Sequence, residues 1–143
     1  MSLYSFAKGI LYVIFKFLFR VKVIGAENIP QKGKLIICSN HVSLLDPITV
    51  AISVPRRIYF MAKKELFENK IFKKLLYNLG AFPVDRDGAD LAAIKNSLRI
   101  LKNGNVLGIF PEGTRVDKEN IENAKPGVTM ISIKGEAPII PIY

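Results

Sequence analysis

The chain contains a single histidine, His41, and five positions later an aspartate, Asp46, followed by Pro47. A histidine held by a carboxylate makes a general base. The carboxylate fixes the tautomer, holds the ring, and stabilises the imidazolium that forms when the histidine takes a proton. Neither regular element brings the two side chains together by itself: a five-residue step turns about 140° around an α-helix, and an odd step along a strand points to opposite faces. The segment 38–47 must therefore bend. Proline disfavours the helical conformation for the residue before it and suits the first turn of a helix, so Asp46 is read as an N-cap and Pro47 as the first helical residue. His41 then lies in the preceding turn. Spacing alone leaves two readings open: a coupled pair, or a helix cap beside an ordinary polar turn residue.

Three other residues carry charge in a pattern that suits a phosphorylated substrate. Arg86 lies in an Asp-Arg-Asp-Gly run, and Glu112 and Arg115 bracket Gly113 and Thr114. Arginine offers a planar, permanently charged fork matched to phosphate. Gly113 and Thr114 allow a tight turn with free backbone amides and a hydroxyl. Asp85 and Asp87, on either side of Arg86, are read as its salt-bridge partners and not as a metal site.

The elements that must position these groups alternate along the chain. A short apolar run at 34–38 reads as a buried strand ending in the His41 turn, and 47–54 as a short helix stopped by Pro55. A second strand is predicted at 57–61. Residues 63–79 read as a helix with Phe67, Ile71 and Leu75 on one stripe and Gly80 as its stop. A strand at 81–84 leads to the Arg86 loop. Asp90 caps a helix striped by Leu91, Ile94, Leu98 and Leu101, which ends at Gly104. A strand at 105–110 leads to the Glu112 loop, then a helix near 127–134 and a last strand at 137–143. Strands separated by such helices imply an α/β fold with a largely parallel central sheet flanked by helices. In such sheets the reactive groups gather in the loops that follow the strands, which is where His41, Arg86 and Glu112 fall.

The first 24 residues have a different character. Six of the 14 aromatics, Tyr4, Phe6, Tyr12, Phe15, Phe17 and Phe19, lie within the first 20 residues, and no acid precedes Glu27. Residues 2–20 read as a helix too interrupted by Lys8, Gly9 and Lys16 to span a bilayer, which needs roughly 18 or more apolar residues. A small-residue cleavage site of the signal-peptide type is lacking. Lys8, Lys16 and Arg20 fall within about a third of the helical circumference, the pattern of an amphipathic helix in the membrane interface with its lysines toward the headgroups. A hydrophobic helix packed on its own domain or on a partner is the competing reading. The domains are accordingly 1–24, a membrane-associating helix, and 25–143, the α/β domain.

Half of the 143 residues are hydrophobic, and the formal net charge is +9. A basic surface attracts polyanions. Arg56, Arg57, Lys63, Lys64, Lys70, Lys73 and Lys74 are interleaved with Tyr59, Phe60, Phe67, Phe72 and Tyr77. No nucleic-acid module is legible around them, and the greasy N-terminal helix favours an anionic membrane surface or a phosphorylated substrate as partner. The lone cysteine, Cys38, forms no internal disulfide and, without a cysteine or histidine cluster, no structural zinc site; it reads as buried and inert.

Taken together, these residues resemble the glycerolipid acyltransferases, the group that includes 1-acylglycerol-3-phosphate acyltransferase. The stretch from Asn40 through His41, Ser43 and Asp46 to Pro47 is similar to the family's H-x4-D signature. Gly80 to Arg86 is similar to its second block, Phe110 to Arg115 to its third, and Ala137 to Pro141 to its fourth, all in family order.

The resemblance implies that His41 deprotonates an acceptor hydroxyl with Asp46 orienting it. The oxygen then attacks an acyl thioester, and Arg86, Glu112, Gly113, Thr114 and Arg115 hold the acceptor's glycerol phosphate. The implied reaction moves a fatty acyl chain from acyl-CoA or acyl carrier protein to 1-acylglycerol 3-phosphate, giving phosphatidate, with no cofactor or metal. The implied place is the cytoplasmic face of a membrane, peripheral or monotopic. Glycerol 3-phosphate or another lysolipid as acceptor, and an inactive membrane lipid-binding domain, are the alternatives. The family domain usually continues past its fourth block, so the domain is expected to extend beyond Tyr143.

Overall fold

The structure, a computed structural model, describes residues 2–85, 90–112 and 126–143. Five strands form one sheet: β1 (Leu35–Ser39), β2 (Ile58–Lys63), β3 (Ala81–Val84), β4 (Val106–Ile109) and β5 (Ile139–Ile142), in the order β3-β2-β4-β1-β5. Every neighbouring pair is parallel. The helices are α1 (Leu3–Leu18), α2 (Asp46–Ser53), α3 (Lys70–Asn78), α4 (Leu91–Lys102) and α5 (Gly127–Gly135). This is the α/β architecture expected from the alternation of elements.

Strand alternation divides the core. Leu35 and Ile37 of β1 join Val50 of α2 and Val54, just after that helix, with Ile58 and Val106. Ile36, between them, faces the other way and packs with Leu107, Ile109, Ile100, Leu101 and Ile131, under α4 and α5. Period-two side-chain alternation is what lets one short strand feed both layers. Pro83 and Pro141 sit in β3 and β5, the two edge strands, where a missing backbone donor is tolerated.

The structure departs from the expected helix at 63–79. Strand β2 runs on to Lys63, a 3₁₀ turn covers Lys64–Phe67, and α3 starts only at Lys70. The physical reason is Asn69, whose side-chain oxygen accepts the amide hydrogens of Ile71 and Phe72 and so begins a new helix. The predicted stripe is split by that restart. Phe67 is buried against Tyr77, whereas Ile71 is 83% exposed and Phe72 and Leu75 are exposed beside it.

Helix α1 packs on the domain along one face. Tyr4 and Phe15 are buried, and the Tyr4 hydroxyl accepts the Ile58 amide hydrogen at 3.1 Å. Lys8 does not point to an outer polar side; its ammonium donates to the carbonyls of Val54 and Arg56. The lysine arrangement expected of an interface helix therefore fails at Lys8, because those carbonyls at the end of α2 attract the charge inward. Leu3, Phe6, Ile10, Val13, Ile14 and Phe17 remain exposed on the opposite side. Among the described residues, no helix is long and apolar enough to cross a membrane.

The basic segment is also more committed than expected. Arg56 donates to the carbonyls of Pro30, Gly33 and Gly104, and Arg57 to that of Asn78 while lying over the rings of Tyr4 and Tyr59. Lys63 pairs with Glu65, and Lys64 with Asp85. Lys70, Lys73 and Lys74 are exposed on α3.

Candidate active site

Because the strands are parallel and β1 lies beside β4, the loops that follow these two strands emerge next to each other. His41 follows β1, and Phe110 to Glu112 follow β4. His41 is 8% exposed, and its Nδ1 lies 3.0 Å from Asp46 Oδ2. The same carboxylate oxygen accepts the amide hydrogens of Val42 and Ser43, both at 2.7 Å. The Ser43 hydroxyl in turn accepts the Leu45 amide hydrogen at 3.1 Å. This turn does what neither a helix nor a strand could: it folds a five-residue separation back on itself.

Asp46 is not the N-cap. Leu45 occupies that position, Asp46 is the first helical residue, and its side chain turns back toward His41 instead of capping α2. Three hydrogen-bond donors before the helix outcompete the single cap bond. Partial burial acts to raise the Asp46 carboxyl, but the hydrogen bonds from Ser43, His41 and Val42 together hold it below its ordinary value. An ionised acceptor on Nδ1 keeps a hydrogen on that nitrogen and leaves Nε2 as the basic one.

Phe110 stacks on the imidazole, with ring centroids 4.3 Å apart and an interplanar angle of 25°. Behind it, Phe60 of β2 stacks on Phe110 at 5.8 Å and 13°. Neither aromatic is singled out by the motifs around His41. The signal for them is Gly108, a glycine inside an apolar strand pattern, which marks close approach of another group.

A cavity of about 400 Å³ opens beside His41. Met61, Val84, Ile94, Ile109 and Ile131 line it with hydrocarbon, and Asp85 and Asp90 stand at its polar edge. Asp90 accepts the Ala93 amide hydrogen as the expected cap of α4 and also that of Asp85 at 2.7 Å, tying the end of β3 to the start of α4. Asp85 is paired with Lys64.

Glu112 is buried at 6% exposure, and among the described residues its Oε2 has no hydrogen-bond partner. A buried carboxylate oxygen left unpaired is costly, so the position is suited to receiving a donor. Cys38 is partly buried, and burial, with the nearby Glu112 charge, pushes its thiol up to about 11. It is protonated at neutral pH and is no nucleophile. No three His, Cys, Asp or Glu side chains among the described residues come together as a metal site requires. Arg86, Gly113, Thr114 and Arg115, the other expected substrate-binding residues, lie outside the described residues.

A family model described as Acyltransferase matches residues 20–143. The chain belongs to the acyltransferase family. It is 38% identical over 140 residues to the 1-acyl-sn-glycerol-3-phosphate acyltransferase of Bacillus subtilis (strain 168), covering 97% of this chain and 69% of that one. With the enzyme of the same name from Streptococcus pneumoniae the identity is 34% over 121 residues, covering 82% and 44%. The crystal structure of the 1-acyl-sn-glycerophosphate acyltransferase PlsC from Thermotoga maritima superposes with a TM-score of 0.70 at 30% identity, covering 99% of this chain and 60% of that one. The chain thus spans between 44% and 69% of the length of these relatives. Within this acyltransferase chain, the H-x4-D signature is the segment that folds into the His41–Asp46 turn.

Proposed function

We propose that this acyltransferase moves a fatty acyl chain from acyl-CoA or acyl carrier protein to the free hydroxyl of 1-acylglycerol 3-phosphate, releasing phosphatidate. The observation that carries the reading is the His41–Asp46 pair at 3.0 Å, with His41 in the lining of an apolar cavity. His41 Nε2 takes the hydroxyl proton as the oxygen attacks the thioester carbonyl. A tetrahedral oxyanion forms, the carbon–sulfur bond breaks, and the imidazolium returns its proton to the leaving thiolate. A positioned base of this kind is worth roughly 10² to 10⁴-fold, and alignment of the two substrates supplies much of the remainder. A thioester is already activated, so no serine or cysteine nucleophile is needed.

The cavity is within the roughly 300–1,000 Å³ range of ligand pockets, and its hydrocarbon walls suit an acyl chain. The resemblance to the glycerolipid acyltransferases assigns the acceptor's glycerol phosphate to Arg86, Glu112, Gly113, Thr114 and Arg115. The unpaired Glu112 oxygen is suited to a glycerol hydroxyl. Exposed apolar side chains on α1 and α3, with Lys70, Lys73 and Lys74 beside the latter, support docking on an anionic membrane surface where lysolipid is found.

The test is phosphatidate formation from acyl-CoA and 1-acylglycerol 3-phosphate in liposomes, with His41→Ala as the paired control. Turnover abolished by that change supports the reading. Turnover only with glycerol 3-phosphate or another lysolipid changes the acceptor. Absence of turnover with either donor, with liposome binding retained in His41→Ala, leaves a lipid-binding domain.

A further inference from the structure

We propose that Phe60 and Phe110 are positioning residues that fix the plane of the His41 imidazole, and that Gly108 is the position whose missing side chain allows their stack to form. The kinetic part of this inference rests on His41 acting as the base in the reaction above; the geometric part does not.

The stack follows from sheet register. Phe60 of β2 is paired with Gly108 of β4, and Ile58 with Val106. Alternation puts Phe60 and Gly108 on the α2 side of the sheet, where Ile58 and Val106 are buried. A Cβ at Gly108 would lie closer than 3.0 Å to three ring carbons of Phe60. The glycine is therefore the floor on which the Phe60 ring lies. From there Phe60 reaches Phe110, two residues beyond Gly108, with ring centroids 5.8 Å apart, and Phe110 reaches His41 at 4.3 Å.

Asp46 holds the imidazole at one edge atom, Nδ1. A single hydrogen bond leaves the ring free to tilt about that contact. A face contact supplies the missing constraint, because a flat ring stacked on another loses area when it tilts. The base is thus fixed by two elements from different strands: Asp46 through the turn after β1, and Phe110 through β4, itself backed by β2. Misplacement of a reacting group by about 1 Å costs on the order of 10²-fold, so a ring backed on one face is a kinetic requirement and not only packing.

The single histidine makes the test direct. In the full chain, labelled at histidine Cε1 and held in detergent micelles, the lone imidazole Hε1 resonance should lie upfield of that of a free imidazole and show cross-relaxation to a phenylalanine ring. Phe110→Leu should move the resonance downfield and lower kcat by about 10-fold or more, with both KM values within about twofold. Phe110→Tyr, which keeps the ring, should retain both signals. Gly108→Ala should displace Phe60, shift the same resonance and lower kcat; adding Phe60→Leu should relieve the clash and recover thermal stability without recovering kcat. A resonance at the free-imidazole position in the parent, with no contact to an aromatic ring, overturns the stack, and that measurement needs no variant to fold. Unchanged kcat in a folded Phe110→Leu whose resonance has moved overturns the positioning role. If the parent transfers no acyl chain at all, the functional reading falls while the resonance still decides the stack.

Discussion

His41 Nδ1 and Asp46 Oδ2 lie 3.0 Å apart, and the same oxygen is held by the amide hydrogens of Val42 and Ser43. One carboxylate oxygen therefore closes the turn and orients the imidazole together. Replacing it with an amide keeps an acceptor for all three donors and removes the charge. In Asp46→Asn the turn closes as before, while the imidazolium formed when His41 takes a proton loses the carboxylate that stabilises it. The expected outcome is a kcat loss of about 10² to 10⁴-fold with little change in KM, measured alongside His41→Ala, which should remove turnover.

The lowered Asp46 carboxyl also makes a stability prediction. A carboxyl whose folded value lies below its unfolded value contributes stability that is present above the ordinary aspartate range and is lost as pH falls through the folded value. Asp90 behaves alike, held down first by the Asp85 amide hydrogen and then by that of Ala93. Thermal melting followed from about pH 6 to about pH 2 should show a fall in Tm that is smaller in Asp46→Asn and in Asp90→Asn than in the parent. Parallel curves for parent and variants would remove both carboxylates from the acid response.

Tyr4 ties α1 to the sheet by accepting the buried Ile58 amide hydrogen at 3.1 Å. Tyr4→Phe keeps the ring and removes the acceptor. An amide left unpaired at that depth costs about 1–3 kcal/mol, which should appear in urea unfolding as a lower midpoint with an unchanged slope.

Membrane docking should depend on the side of α1 turned away from Tyr4. Phe6→Glu and Phe17→Glu place charge where apolar groups are exposed. Co-sedimentation with liposomes containing phosphatidylserine should fall sharply in both, with melting in detergent unchanged. Neutralising Lys70, Lys73 and Lys74 should instead weaken the salt-dependent part, by roughly 1 kcal/mol per lysine near an anionic surface. Binding indifferent to both sets would place the membrane contact elsewhere.

Arg86→Ala should raise the acceptor KM more than the donor KM, because the resemblance places Arg86 among the residues that hold the acceptor's glycerol phosphate. Paired saturation curves for the two substrates measure it. The reverse pattern would move Arg86 to the donor side.

Much of this arrangement is legible in the chain. The alternation of apolar runs with capped helices specifies a parallel α/β sheet, and Asp90 is a cap because its side chain precedes an apolar stripe. The bend at 38–47 follows from arithmetic: five residues cannot align His41 with Asp46 on any regular element. Local pattern misleads at 63–79, where one residue, Asn69, restarts the helix and a stripe that looks buried becomes a surface. It misleads again at Lys8, whose partners are carbonyls more than 40 residues away in sequence.

The chain on its own specifies the contents of one turn: a histidine, a carboxylate five residues on, and a proline in the first turn of the helix that follows. These depend on neighbours a few residues apart, and short-range geometry is written in short-range spacing. What stands against the face of the imidazole is settled by the packing of strands. Strand order sets β4 beside β1 and β2 beside β4, so that Phe110 reaches His41 and Phe60, lying over Gly108, backs Phe110. Such a contact depends on register between strands far apart in the chain: Gly108 signals that something approaches closely, and only the pairing of β2 with β4 says that it is Phe60.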